Sequence, residues 1–184
     1  MMEELIVRHC SPTMAGLKTG NLFNCQTEDP EELAAGIRQM NRKFVPRGIR
    51  LIPVKYREGK AMMYMYRPAK LEADLADQTA REILSARNYP VSDMDRCVTH
   101  LIRCLNHQET FPHEIGLFLG YPPEDVDAFI KNGASGAKYI GTWKVYGDVE
   151  KAKYKFARFK KCTRVYWEAF QKHHSFEWLV VSCS

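Results

Sequence analysis

Within ten positions near the N-terminus, His9, Cys10, Ser11, Thr13 and Lys18 supply an imidazole, a thiol, two hydroxyls and an amine. A thiol becomes a nucleophile when a neighbouring cation or base lowers its pKa from about 8.5. His9 and Cys10 are adjacent, so their side chains diverge unless the chain bends at Ser11-Pro12. His113 is the better candidate base from elsewhere in the chain. This reading makes Cys10 and His113 the candidate catalytic residues and His9, Ser11, Thr13 and Lys18 ligand-binding ones. It also makes Cys10 the most reactive thiol, alkylated before Cys183. The same residues fit a second arrangement, a capping turn at Ser11-Pro12-Thr13 with Cys10 packed and Lys18 solvated.

Three further groups carry candidate chemistry. Pro112-His113-Glu114 reads as the first turn of a helix, where free N–H groups and positive potential suit an anion. The zincin pattern H-E-x-x-H fails there because position 117 is Leu. Gly133-Ala134-Ser135-Gly136-Ala137-Lys138 suggests a phosphate cradle, yet a Walker A loop needs four residues between its glycines and Ser or Thr after the Lys. Here two intervene and Tyr139 follows. Glu114, Lys138 and Lys144 therefore join the ligand-binding candidates as anion-facing or polar residues around a flexible loop. Cys97, His100, Cys104 and His107 step along one helix flank at metal-ligand spacing. Arg96 and Arg103 lie beside that flank and repel a cation, so packing is the reading adopted and no metal is assigned. The cofactor is unknown.

The longest helical stretch, which opens after Gly147-Asp148, carries Lys153, Arg158, Lys160, Lys161, Arg164 and Lys172 opposite its apolar stripe, with Tyr154 among them. A basic face with an aromatic can follow a phosphate backbone. Glu150 and Glu168 interrupt it, and solvated helix faces share this composition.

The elements that must position these groups follow from pattern. Strands are expected over Asn21–Cys25, Ile49–Tyr56 and Ala61–Tyr66, the last two joined as a hairpin through Arg57-Glu58-Gly59-Lys60. Asp29-Pro30-Glu31-Glu32 starts a helix with a capping Asp, a Pro in its first turn and acids at its positive end. Leu71, Leu75, Thr79, Ile83 and Leu84 form one helical stripe. Met94, Val98, Leu101, Ile102 and Leu105 form another after Ser92-Asp93. A third helix begins at Thr110–Glu114, Gly120–Asp125 joins it to a fourth, and Tyr139–Tyr146 is extended. Ala152, Phe156, Phe159, Thr163, Tyr166 and Phe170 mark the buried side of the last helix. Pro12 is expected to disturb the short N-terminal element at Glu3–Cys10.

Strands cluster first and helices follow, which argues an α+β fold: a small antiparallel sheet near the N-terminal half packed by helices, then a helical C-terminal half. One domain over residues 1–184 is expected, mainly strand-bearing over 1–67 and mainly helical over 68–184. The 184 residues suffice for a sizeable core, and 45% hydrophobic with 27% charged excludes disordered and fibrous classes. No apolar run approaches the roughly 18 residues of a membrane span, and the acidic start is no secretory signal. Six cysteines without a C-x-x-C pair and without an export signal are expected to be reduced thiols in a cytoplasm. Lys+Arg 27 against Asp+Glu 22 gives +5, which permits anionic partners without demanding them.

Three stretches taken together are distinctive: His9-Cys10-Ser11-Pro12-Thr13-Met14-Ala15-Gly16-Leu17-Lys18 with Asn21-Leu22-Phe23; Pro112-His113-Glu114-Ile115-Gly116 with Gly120-Tyr121-Pro122 and Asp125-Val126; and Gly141-Thr142-Trp143-Lys144-Val145-Tyr146-Gly147-Asp148. Through them the chain resembles the domain of unknown function 3793 family, an uncharacterised family of anaerobic, mostly Gram-positive bacteria. The resemblance implies a cytoplasmic bacterial protein, found alongside flavodoxins or iron-handling proteins, and brings no catalytic residues. Two functions are expected from the whole. The first is a cleft for a small anionic ligand, including a thiol-dependent enzyme. The alternative is an adaptor whose basic helix face meets nucleic acid or an acidic redox partner such as a flavodoxin. Neither involves a membrane.

Overall fold

Arg57-Glu58-Gly59-Lys60 turns the chain in two residues. Glu58 and Gly59 both adopt positive φ, 52° and 71°, the geometry of a tight hairpin whose twist matches its strands. The computed structural model describes residues 2–182, and this hairpin joins β2 (Arg50–Arg57) to β3 (Lys60–Tyr66). With β1 (Gly20–Gln26) they form an antiparallel sheet in the order β1-β3-β2. Gly20 pairs with Tyr66 and Gln26 with Lys60. Pro53 sits on edge strand β2, where a missing donor is tolerated, and the β2 register shifts just after it. The α+β class expected from the order of elements is the fold observed, and each predicted strand is present to within one residue at either end.

The chain also forms helices α1 (Met2–Met14), α2 (Pro30–Phe44), α3 (Pro68–Leu75), α4 (Gln78–Ser85), α5 (Met94–His107), α6 (Ile115–Phe118), α7 (Pro123–Asn132) and α8 (Val149–His173). Two-residue strands β4 (Tyr139–Ile140) and β5 (Lys144–Val145) pair antiparallel in the stretch expected to be extended. The chain divides into two compact units: residues 1–69 with 159–184, and residues 70–158.

In the first unit, one face of the sheet presents Phe23, Cys25, Leu51, Ala61, Met63 and Met65. Against it pack Ile6, Val7, Cys10 and Met14 of α1 and Ile37, Met40 and Phe44 of α2. Asp29 caps α2 as expected, accepting from the N–H groups of Glu31 at 2.8 Å and Glu32 at 3.3 Å. The Asn41 side chain clips α2 to the β2 edge. Its amide donates to the Leu51 carbonyl at 2.7 Å, and its oxygen accepts from the Leu51 N–H at 2.9 Å. Phe170 of α8 joins the same core, and after α8 the chain returns to it through Phe176 and Val180.

The expected break of α1 at Pro12 does not occur. Helix α1 runs through Pro12 to Met14, with Cys10, Ser11, Pro12 and Thr13 buried. What closes it is downstream. The Pro12 carbonyl accepts from the N–H groups of Leu17 at 2.8 Å and Lys18 at 3.1 Å. Arg67, 1% exposed, completes the cap: its Nε donates to the Thr13 carbonyl at 2.7 Å and its Nη2 to the Met14 carbonyl at 2.7 Å. The same Nη2 donates to the Val181 carbonyl at 2.6 Å, and Nη1 to that of Arg47 at 3.3 Å. A cation suits the negative end of a helix, and its fork adds to the main-chain bonds already made there by the Gly16 N–H to Thr13 and the Val181 N–H to Met14, each at 3.1 Å.

In the second unit, Asp77 and Asp93 cap α4 and α5, accepting from Ala80 N–H and Arg96 N–H, each at 3.0 Å. The stripe read as one helix over Leu71–Leu84 is two helices, broken at Ala76-Asp77 because Asp77 turns its side chain to cap the next segment. The helix expected from Thr110 is the single turn α6, which begins at Ile115 and is stopped at Gly120, with φ of 76°. Close approach dictates Gly141: a Cβ there would lie 2.3 Å from the Phe156 ring.

Arg67 gives the first prediction. Arg67→Met removes a buried cation and its four bonds to main-chain carbonyls, of which those of Thr13 and Met14 keep the N–H groups of Gly16 and Val181. Chemical denaturation should show a loss of about 3–5 kcal/mol, with Arg67→Lys falling between Met and wild type because an ammonium cannot span the same carbonyls.

Candidate functional site

The N-terminal cluster faces inward. Cys10, Ser11 and Thr13 have no exposed surface, and Lys18 is 5% exposed. Each polar group is spent on the fold. The Ser11 hydroxyl donates to the Val7 carbonyl, Thr13 Oγ1 donates to Asn21 Oδ1 at 2.7 Å, and Lys18 Nζ donates to the Gly20 carbonyl at 2.7 Å. Burial pushes the Cys10 thiol far above its ordinary value, and the nearby Lys18 charge offsets only part of that. The expectation of an exposed, activated Cys10 is therefore corrected: the helix carries it into the core instead of bending it outward at Pro12. His9 alone points out, its ring stacked on Phe23 at 6.1 Å. The cysteines Cys10, Cys25, Cys97, Cys104 and Cys162 are all buried, and Cys183 lies outside the described residues.

His113 belongs to the second unit and stands in the turn before α6, exposed, so the argument from a helix dipole lapses with the helix. Its ring meets Phe129 edge-on at 4.9 Å, and Lys144 Nζ lies 4.8 Å from the centre of the same ring. These two predicted residues are thus brought together around Phe129. Glu114 is buried instead. It accepts from the Tyr89 hydroxyl at 2.9 Å and pairs with Arg87 Nε at 3.5 Å. Burial, then the Glu114 carboxylate, drives the Tyr89 phenol well above the ordinary tyrosine range. Lys138 Nζ donates to the Gly147 carbonyl at 3.3 Å. Among the described residues no group of three or more His, Cys, Asp or Glu is placed to hold a metal ion.

Asp125 explains why two of the distinctive stretches belong together. Buried, it accepts from Trp143 Nε1 at 2.8 Å, from the Tyr146 N–H at 2.8 Å and from the Gly147 N–H at 2.9 Å. Trp143 then stands against Tyr121, with ring centres 5.0 Å apart, and against Phe156 at 4.5 Å. Beside this knot lies a cleft of about 330 Å³ lined by Asp74, Asp77, Glu124, Asp125 and Asp148 against Lys151 and Lys155. Its charge opposes an anion, and three of its carboxylates are engaged: Asp125 as above, Asp77 on α4 and Asp148 on the Lys151 N–H at 3.0 Å.

The surface that composition did not locate lies in the first unit. There the Arg8 guanidinium stands 4.1 Å from the centre of the Trp167 ring, and both border a groove of about 500 Å³ with Lys160, Thr163 and Arg164. Lys160, Arg164 and Trp167 are spaced four and three apart on α8, a signal present in the sequence; Arg8, 159 positions away from Trp167, offered none.

An antiparallel three-stranded sheet packed by helices, followed by a helical half, defines an α+β protein whose buried polar residues, the cations Arg67 and Lys18 among them, knit the fold. The chain belongs to the family described as "Protein of unknown function (DUF3793)", whose model matches residues 6–180. Comparisons with curated proteins and with solved structures found no match. Among the described residues no helix is long and apolar enough to cross a membrane.

Lys18 yields a pH prediction. Burial lowers its ammonium from 10.5 to about 8, so the unfolded chain holds a proton that the native state has released between those values. Native stability should therefore rise with pH across that window, while the raised Cys10 thiol acts in the opposite sense. Comparison with Lys18→Met isolates the lysine: wild type should gain about 2 kcal/mol relative to the variant between about pH 7.5 and about pH 9.5, read by urea denaturation. A constant difference would show that Lys18 is not held in a desolvated site.

Proposed function

We propose that this chain binds nucleic acid through the exposed basic face of α8. One observation carries the reading, the concentration of charge. The chain totals +5, yet α8 alone holds eight Lys and Arg against two Glu, a helix charge of +6 that leaves −1 for all other residues together. Seven of those eight, all but Lys155, are exposed. A field of one sign over a single helix attracts a polyanion at a range of about a Debye length, roughly 10 Å in dilute salt.

The interrupting acids do little to cancel it. Glu150 pairs with Lys153 at 3.2 Å and Glu168 with Arg164 at 4.0 Å, and such exposed pairs hold weakly against a competing phosphate. Aromatic side chains among the cations favour nucleic acid over an acidic protein: Tyr154 is 66% exposed beside Arg158, and Trp167 lies under Arg8. The reading as a cleft for a small anionic ligand has less support, since Cys10, Ser11, Thr13 and Lys18 are buried and the cleft beside Trp143 is acidic.

Fluorescence anisotropy with a labelled oligothymidylate tests this directly. Affinity should fall roughly 50-fold between about 50 and about 200 mM salt if about four phosphates are neutralised. Replacing Lys160, Lys161 and Arg164 by Ala, a good helix former, should flatten the salt slope by about 2. No binding at low salt, or an affinity that the triple variant leaves unchanged, would overturn the proposal. Equal competition by polyglutamate would assign the face to an acidic protein instead.

A further inference from the structure

Resting on that reading, we infer that the strand is single-stranded and that one of its bases seats in the groove formed by Arg8, Lys160, Thr163, Arg164 and Trp167. The groove lies entirely within the first unit, between α1 and the second half of α8. The groove is open to solvent, and its volume of about 500 Å³ leaves room for a planar ring.

The chemistry of its walls selects the occupant. Trp167 offers an aromatic surface and Arg8 a planar cation set over it, so a base can extend or share that stack. Arg8 remains accessible in this position, with 53% of its side chain exposed although it also pairs with Glu4 at 3.0 Å. Lys160 and Arg164 stand one helical turn apart on the same rim, about 6 Å, which matches one phosphate flanked by two donors. Arg164 is 69% exposed, and its 4.0 Å contact with Glu168 is loose enough to yield to a phosphodiester.

A duplex would use only the cations, because its base faces are covered by stacking. Beyond its contacts with Arg8 and the core, an aromatic ring among the phosphate-binding groups adds a stacking platform that an unpaired base can use and a duplex cannot. An acidic peptide fits less well, since its carboxylates would engage the rim cations but add nothing to the Arg8–Trp167 stack.

Three probes of equal length, about eight nucleotides, separate the possibilities: an oligothymidylate, the same backbone with abasic residues, and a duplex. The oligothymidylate should bind the full chain about 5–20-fold more tightly than the abasic strand. Trp167→Leu should remove that advantage while leaving the abasic strand and the duplex unchanged. In a Trp178→Phe background, which removes the 81% exposed indole, binding of the oligothymidylate should quench the remaining emission, and Trp167→Phe should abolish the quenching. If the abasic strand binds as tightly as the oligothymidylate, the base seat is wrong and the phosphate face of α8 stands. If no probe binds at low salt, both proposals fall. Should Trp167→Leu not fold, the abasic comparison and the quenching decide the matter with native packing intact.

Discussion

One buried guanidinium holds the first unit in register. Arg67 follows directly on the central strand β3 and reaches the last carbonyls of α1, the turn at Arg47 and the returning tail at Val181. Four segments separated widely in sequence therefore meet at one side chain. Desolvating an arginine is unfavourable unless its donors are satisfied, so the carbonyls must be in place for Arg67 to be tolerated there. The cap also bears on the surface. Arg8 sits on α1 and Trp167 on α8, and Arg67 fixes the end of α1 to the segment that follows α8. The groove between them is thus set by a contact in the interior.

The parts of this arrangement that were legible in sequence are local. Asp29-Pro30, Asp93 and the Glu58-Gly59 turn act within a few residues of themselves, and their chemistry is the same in any context. What misled was also local in form but tertiary in outcome. Pro12 reads as a helix stop, yet α1 runs on to Met14, and its terminal carbonyls at Pro12, Thr13 and Met14 are taken up by Leu17, Lys18 and Arg67. Thr110–Glu114 reads as a helix start, yet only one turn follows because Gly120 takes a positive φ, its N–H donating to the Leu117 carbonyl and that of Tyr121 to the Gly116 carbonyl. Arg67 gave no signal, because a lone arginine before a proline is indistinguishable from a surface cation until its acceptors are placed.

The candidate site shows the same division. A run of imidazole, thiol, hydroxyls and amine looks reactive when written as a line, but helix geometry turns Cys10, Ser11 and Thr13 into the interior and assigns their hydrogen bonds to the backbone and to Asn21. The buried polar groups of the second unit behave alike, with Asp125 closing the Trp143–Gly147 loop and Glu114 engaging Tyr89. Reactive-looking side chains thus serve cohesion. Apart from the buried Arg67 and Lys18, which serve cohesion, the net positive charge gathers on the exposed face of α8. That separation of structural polarity from surface charge is the physical basis for placing function on the helix face and not in the core.

The most direct test is a residue-resolved map of backbone amide shifts on adding the oligothymidylate to the isotopically labelled chain at low salt. The account predicts that perturbations follow Arg8 and the exposed positions of α8, largest around Lys160, Arg164 and Trp167, and fade as salt is raised. Perturbations centred on Tyr121, Trp143 and Asp125, or around Cys10 and Lys18, with α8 silent, would contradict it.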